Sequence, residues 1–337
     1  MTGPLSGIVV LDLTRLLPGA VATQQLVDWD AEVIKIEQPG TGDYARTMNP
    51  AVFARTNSGK KSVALDLKDP KGREALLGLA RQADVLMEGF RPGVMTRLGL
   101  SFEELHAVNK RLIYVSLTGY GQVGPFAQLA GHDVNYMALG GVLSLNLPVI
   151  PGVQIADLVG GSMQSVILIL LALVARQQTG EGRHVDVSMY AGVTSLLTIP
   201  LAAWHATGRE PVTGQEILSG RYACYNLYQA ADARWLAVGA LEPKFWAELC
   251  TQLGCPELIA RQFEEPRDEV KARIGAIFLT RSAQEWFDQL RATDCCVTPV
   301  RTVSEVAAEM PAHDGPPPPT LGQHTQEVLA RLTEPRP

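Results

Sequence analysis

The sequence predicts an α/β protein: a large Rossmann-like domain on a parallel sheet, followed by a smaller α+β domain. Short apolar runs at 8–13, 33–36, 84–87 and 112–117 alternate with helix-length segments, the pattern of a parallel sheet covered on both faces. The 337 residues allow a full core and about two domains. At 208–220 the chain turns polar and Gly/Pro-containing, a linker by composition.

The elements follow in order. Residues 8–13 and 33–36 read as strands, with helix formers between them at 20–29. Segment 71–82 carries Leu76, Leu77, Leu79 and Ala80 at helical spacing and opens on Asp69-Pro70. Residues 84–87 form the next strand, 101–109 a capped helix and 112–117 another strand. The apolar stretch 166–175 predicts a buried helix, too short for a membrane span of about 20 residues and stopped by Arg176. A strand at 186–189 ends the large domain. Beyond the linker, 225–229 and 235–239 flank a polar turn and predict a hairpin, with helices at 244–253, 267–279 and 283–293. This divides the chain into a large domain at 1–200, a linker at 201–222, a small α+β domain at 223–305 and a Pro-rich return linker at 306–319. Residues 320–337 then complete the large domain.

The net charge of −6 excludes a broadly cationic nucleic-acid surface. Any anionic ligand must meet locally placed cations. Five cysteines without metal-ligand spacing predict reduced thiols in a cytoplasmic protein, and no metal site. The N-terminus lacks the charged and apolar regions of a secretory signal.

Two groups suggest proton chemistry. His132, in Gly131-His132-Asp133-Val134-Asn135-Tyr136, supplies the side-chain type that titrates near neutrality. Asp157 stands before the apolar helix, where an N-cap position would favour its ionised form. A tuned imidazole and carboxylate can exchange a proton with a carbon acid from two sides. Glu242 precedes Pro243 at another helix start, and Asp133 reads as a supporting acid or a loop residue.

Several motifs in one order extend this reading. They are Gly3-Pro4-Leu5-Ser6-Gly7, Thr56-Asn57-Ser58-Gly59-Lys60-Lys61-Ser62 leading to Leu65-Asp66-Leu67-Lys68, Asp84-Val85-Leu86-Met87-Glu88-Gly89-Phe90-Arg91-Pro92-Gly93, and Gly119-Tyr120-Gly121-Gln122. Together they resemble the family III CoA transferases over nearly the whole chain, and the Gly-His-Asp-x-Asn-Tyr wording is similar to the α-methylacyl-CoA racemase branch.

The resemblance implies an interlocked homodimer acting on an acyl-CoA thioester, with no cofactor beyond the CoA of the substrate and no nucleic-acid or membrane partner. It implies that Asp157 is the carboxylate that carries an acyl anhydride in transferases and acts as acid/base in racemases. His132 would be the opposite acid/base, a position usually not His in the transferases, and Glu242 its hydrogen-bond partner. Backbone N–H groups beside Asp157 would hold the enolate oxygen. CoA would meet Leu16, Leu17, Pro18, Asn57, Lys60, Lys61, Leu65, Lys68, Gly89, Phe90, Arg91 and Arg97, with Tyr120 and Ala130 near the thioester. Gln38 stands where relatives frequently carry Arg, and the chain looks shortened after 310 and after Leu332. The expected activity is epimerisation of 2-methylacyl-CoA. The alternatives are CoA transfer through Asp157 and acyl-CoA binding without catalysis.

Overall fold

A computed structural model describes residues 3–310 and 315–333. Strands β1 (Val9–Leu13), β2 (Glu32–Glu37), β3 (Lys61–Ala64), β4 (Val85–Glu88), β5 (Ile113–Thr118) and β6 (His184–Ser188) form a parallel sheet in the order β3-β2-β1-β4-β5-β6. Strands covered on both faces need apolar residues at consecutive positions, and β4 and β5 are buried throughout. Alternate side chains serve opposite cores. Val10, Val85, Met87 and Val115 pack with the helix Leu17–Asp28 and the long apolar helix. Leu11, Leu86 and Tyr114 pack with Leu76 and Leu79 of the helix Pro70–Gln82.

Four of the six strands lie where the apolar runs put them. Strand β6 begins at His184, two residues earlier than expected, and β3 was not anticipated. The expected capped helix is Phe102–Val108, with Ser101 and Glu104 closing a capping box.

The chain divides into two compact units, Met1–Leu201 with His313–Pro337 and Ala202–Ala312. In the smaller unit β7 (Tyr225–Gln229) and β8 (Trp235–Gly239) form the expected hairpin, joined by a third antiparallel strand, β9 (Val297–Pro299). Trp246, Ile274, Phe278 and Trp286 fill its core. In the larger unit the carbonyls of Pro316 and Pro319 accept hydrogen bonds from Ser58 and Arg46. The Pro-rich return is thus tied to the large sheet from residue 316 onward. Part of the shortening expected after 310, and that after Leu332, fall largely on residues 311–314 and 334–337, outside the described residues.

The apolar helix needs a correction. It runs without a break from Ala156 to Thr179, 24 residues, long and apolar enough to cross a membrane by length and composition. Its Ile169, Ala172 and Leu173 join the core, whereas Ile167, Leu171 and Val174 are more than half exposed. It is buried on one face only.

The chain builds outward from β1 to β3, then returns to place β4 on the other side of β1. A crevice opens at such a reversal, beyond the C-terminal strand ends. Behind it lies a buried ionic cluster. Asp12 on β1 faces Lys35 on β2 in register, and their charged atoms are 3.8 Å apart. Lys35 also pairs with Asp43 at 2.9 Å and donates to the Thr14 carbonyl. Lys60 reaches Asp12 at 3.3 Å and donates to Thr23 Oγ1 and Asn57 Oδ1. Burial would push Asp12 up, but the two ammonium groups outweigh it and hold its pKa at about 2. Lys60 is the weaker cation: burial and the nearby Lys35 bring it down to about 8.

Removing one member of such a cluster strands the others. Lys60→Ala should cost about 3–5 kcal/mol in urea unfolding. Lys61→Ala, which removes a half-exposed bridge to Glu32 and Glu327, should cost less than about 1 kcal/mol. Asp12 has a depressed folded pKa, so its contribution is complete above its ordinary value of 3.8 and is lost as pH falls toward about 2. Equal urea midpoints for the two lysine variants would contradict this account.

Candidate active site

A cleft of about 530 Å³ occupies the reversal point. Thr14 and Arg15 enter it from the end of β1, Gly89, Phe90 and Arg91 from β4, and Gly119 and Tyr120 from β5. The segment Ala130–His132 and Tyr136 complete the lining. Gly119 is required by close approach, since a Cβ there would stand 2.3 Å from the Tyr136 ring.

The entry turn is strained. Leu16 has φ 62° and ψ −156°, a conformation almost confined to glycine and costing about 1–3 kcal/mol. The ionic cluster holds it there, because Asp43 accepts the Leu16 N–H at 3.1 Å while pairing with Lys35. The helix Leu17–Asp28 then starts at the cleft with no side-chain cap on its first turn, so its positive dipole end faces the ligand space through Pro18 and Gly19. Beside Leu16, the Arg15 guanidinium lies 5.1 Å from the Tyr44 ring centre and 5.5 Å from that of Phe90. Arg15 and Phe90 also line a neighbouring cavity of about 150 Å³ with Gln38, Leu65 and Lys68.

His132 is exposed, lines the cleft and stands before the helix Asp133–Leu139; its N–H donates to Asn135 Oδ1 at 3.1 Å. Asp157 does not cap a helix. It is the second residue of a π-helix, Ala156–Met163, that continues into the apolar helix. Wide turns of this kind recur at functional sites. Here the turn is pinned by Ser162, whose hydroxyl donates to the Pro18 carbonyl at 2.6 Å and approaches the Asp157 carbonyl at 3.2 Å. It also packs tightly on the helix Met189–Thr194: a Cβ on Gly192 would stand 2.5 Å from the Gly160 Cα.

The electrostatics differ from those of an N-cap. Burial is the largest influence on Asp157, the Asp133 carboxylate adds to it, and His132 opposes both; the result is a pKa pushed up to about 6. The Asp133 Oδ1 also accepts the Asp157 N–H at 2.9 Å. That bond corrects the expectation of oxyanion donors here, since the Asp157 N–H is taken by Asp133 and the Leu158 N–H by the Gln154 carbonyl. Tyr136, pushed up to about 12 by burial and by Asp157, donates its hydroxyl to the Gly131 carbonyl.

The structure gathers Pro18, Gly89, Phe90, Arg91, Tyr120, Ala130 and His132 around one cleft, with Asp157 coupled to it through His132 and Tyr136. Leu65 and Lys68 fall in the adjoining cavity. Leu17 opens the helix beside the strained turn. Three expected CoA contacts do not fit. Lys60 is 3% exposed with its ammonium occupied inside the protein, Asn57 is fully buried against the Phe53 carbonyl, and Lys61 is spent on Glu32 and Glu327. Arg97 ends the short helix Val94–Arg97 and borders neither cavity. Glu242 is exposed before the helix Pro243–Gln252 of the smaller unit, where burial raises the Cys296 thiol and the Glu242 charge adds to the push.

Sequence reasoning missed Arg15 and the role of Tyr136. The signal for Arg15 was present: a cation two residues past the end of the first strand, where a doubly wound sheet opens. Tyr136 stood inside the quoted histidine motif.

Residues 5–315 match the model of the CoA-transferase family III. The chain is 38% identical over 314 residues to the α-methylacyl-CoA racemase of Homo sapiens, covering 90% of this chain and 79% of that one. It is equally 38% identical over 327 residues to the acetyl-CoA:oxalate CoA-transferase of Acetobacter aceti, covering 90% and 82%. The crystal structure of a CAIB/BAIF family protein from Brucella suis superposes with a TM-score of 0.82 at 28% identity, covering 98% of this chain and all of the other. By this match over nearly its whole length, the chain belongs to CoA-transferase family III.

Proposed function

We propose that the protein epimerises 2-methylacyl-CoA thioesters by 1,1-proton transfer. The supporting observation is His132 on the cleft with Asp157, raised to about 6, within electrostatic reach of it. A carboxyl with that pKa takes and returns a proton near neutral pH more readily than an ordinary aspartate. Asp157 removes the C2 proton from one face and His132 returns one to the other, and the reverse reaction exchanges the roles. The uncapped first turn of Leu17–Asp28 favours the negative charge of the enolate. CoA spans Arg15, Phe90 and Lys68, from the cleft into the adjoining cavity.

CoA transfer is the second reading, favoured by the equal likeness to the Acetobacter aceti transferase. There Asp157 attacks the thioester carbonyl, the C–S bond breaks, CoA leaves as the thiolate and a mixed anhydride remains.

We assign the exposed face of Ala156–Thr179 to a second copy of the chain, because so large an apolar patch marks an interaction surface. Five free thiols fit a reducing, cytoplasmic setting.

Incubation with (R)-2-methylacyl-CoA in D2O should place deuterium at C2 and give both epimers. His132→Ala and Asp157→Ala should each slow epimerisation about 10²–10⁴-fold, while leaving single-enantiomer exchange of opposite sense. Full CoA transfer by His132→Ala, with no C2 exchange in the wild type, would move the assignment to the transferase.

The raised pKa of Asp157 carries a stability cost. The cost is absent below its ordinary value of 3.8, grows as pH rises and is complete above about 6. Asp157→Asn should therefore be more stable at pH 7.5, by up to about 2–3 kcal/mol, with no gain at pH 3.5, while epimerisation slows as in Asp157→Ala. Thermal unfolding at the two pH values reads both.

Sedimentation should give a dimer of the 36.4 kDa chain. A stable monomer that partitions onto phospholipid vesicles would instead give the apolar face to a membrane.

A further inference from the structure

Glu88 ends β4, one residue before the turn that lines the cleft, yet its carboxyl does not line that cleft. It opens onto a separate cavity of about 180 Å³ shared with Tyr114, Ser116 and His184. The residue is 3% exposed, and Oε2 accepts the Phe90 N–H at 2.7 Å. Ser116, its cross-strand neighbour on β5, donates to the same carboxyl. The Ser116 hydroxyl in turn lies 3.0 Å from Nε2 of His184 on β6. The imidazole is stacked on Phe102 with ring centres 5.5 Å apart and meets Tyr114 edge-on. A hydrogen-bonded chain thus runs across three strands and ends on the backbone of the cleft.

We infer that Glu88 is a positioning residue: its carboxyl, braced by Ser116 and His184, fixes the Gly89–Phe90–Arg91 turn against the bound thioester. The inference rests on the CoA-thioester reading above. Phe90 is the link, because its ring lies under Arg15 and borders both the cleft and the adjoining cavity. Freeing the Phe90 N–H lets the turn move and loosens CoA, while the reacting groups His132 and Asp157 stay in place. An ionised acceptor holds an N–H more strongly than a neutral one. Burial, with a smaller push from Asp186, raises the Glu88 pKa to about 7, against the hydrogen bonds from Ser116 and Phe90. The polar groups facing it are Tyr114 and Ser116 on β5, His184 and Asp186 on β6, Glu103 from the helix Phe102–Val108, and Arg91 of its own turn. The grip on the turn therefore tightens as pH rises through about 7.

The test is calorimetric binding of acetyl-CoA at pH 6 and pH 8, beside kcat and KM. Glu88→Ala should weaken binding at pH 8 about tenfold or more, the worth of a hydrogen bond to a charged group, with KM rising far more than kcat falls. Glu88→Gln keeps an acceptor for the Phe90 N–H, so it should bind nearly as the wild type does at pH 6 but lack the wild type's extra affinity at pH 8. Ser116→Ala keeps the Phe90 contact and removes a donor, which should move the rise in affinity to higher pH; it also carries the test if Glu88→Ala does not fold. Wild-type affinity in Glu88→Ala, a Gln variant as weak as the Ala variant, or an unchanged pH profile in Ser116→Ala would each overturn the inference. A wild type that binds no acetyl-CoA would overturn the thioester reading itself, a failure visible before any variant is made.

Discussion

The structure depends on holding two lysines and two aspartates without water behind the end of β1. Charges removed from water are tolerated only when each finds partners of good geometry. Asp12 meets both lysines, and Lys35 meets both aspartates. Neutralised in this way, the cluster can impose a backbone conformation that local preference opposes. Asp43 holds the Leu16 N–H, Lys35 holds the Thr14 carbonyl, and Leu16 between them is forced to a positive φ. That turn aims Arg15 into the cleft and starts the next helix at its edge. The cluster is therefore a scaffold for the site and touches no part of the cleft through Lys35 or Lys60.

A second constraint acts on Asp157. The close contact of Gly160 with Gly192 draws the π-helix against its neighbour, and Ser162 ties it to Pro18 beside the entry turn. The same packing takes Asp157 partly out of water and places it near Asp133, which raises its pKa. Stability is lost at that position and chemical competence is gained. At Glu88, one layer behind the cleft, burial likewise outweighs the opposing hydrogen bonds from Ser116 and the Phe90 N–H.

Much of the fold was legible because strands buried on both faces announce themselves as unbroken apolar runs. Strand β3 did not, since Lys61-Ser62-Val63-Ala64 is short and half polar, and its identity comes from pairing with β2. Without that strand, Lys60 and Lys61 look alike in the sequence. In the structure adjacent side chains diverge, one into the ionic cluster and the other to surface carboxylates. Both had been expected at the CoA. The histidine motif and Asp157 were legible as chemistry-bearing positions, but the character of Asp157 was not. Aspartate before an apolar helix reads as a cap that favours ionisation, whereas the π-turn and Asp133 drive the carboxyl toward its neutral form. Neither is encoded within a few residues of Asp157: Asp133 lies far along the chain, and the turn depends on Gly192 and Pro18.

The chemistry open to such a site is set by what accompanies the carboxyl. A carboxylate alone beside a thioester can attack the carbonyl carbon, and nothing more is needed to carry an acyl group. Proton transfer at C2 requires a second group across the substrate, with the two differing enough that one accepts as the other donates. His132, an imidazole exposed to the cleft and electrostatically coupled to Asp157, is the group proposed for that part. Burial and Asp133 lift the Asp157 carboxyl to about 6, which makes it a stronger base and brings its protonated and ionised forms together near neutral pH. Relatives of both activities stand at the same identity to this chain. Around Asp157 in this chain stand Asp133, His132 and a π-helical turn.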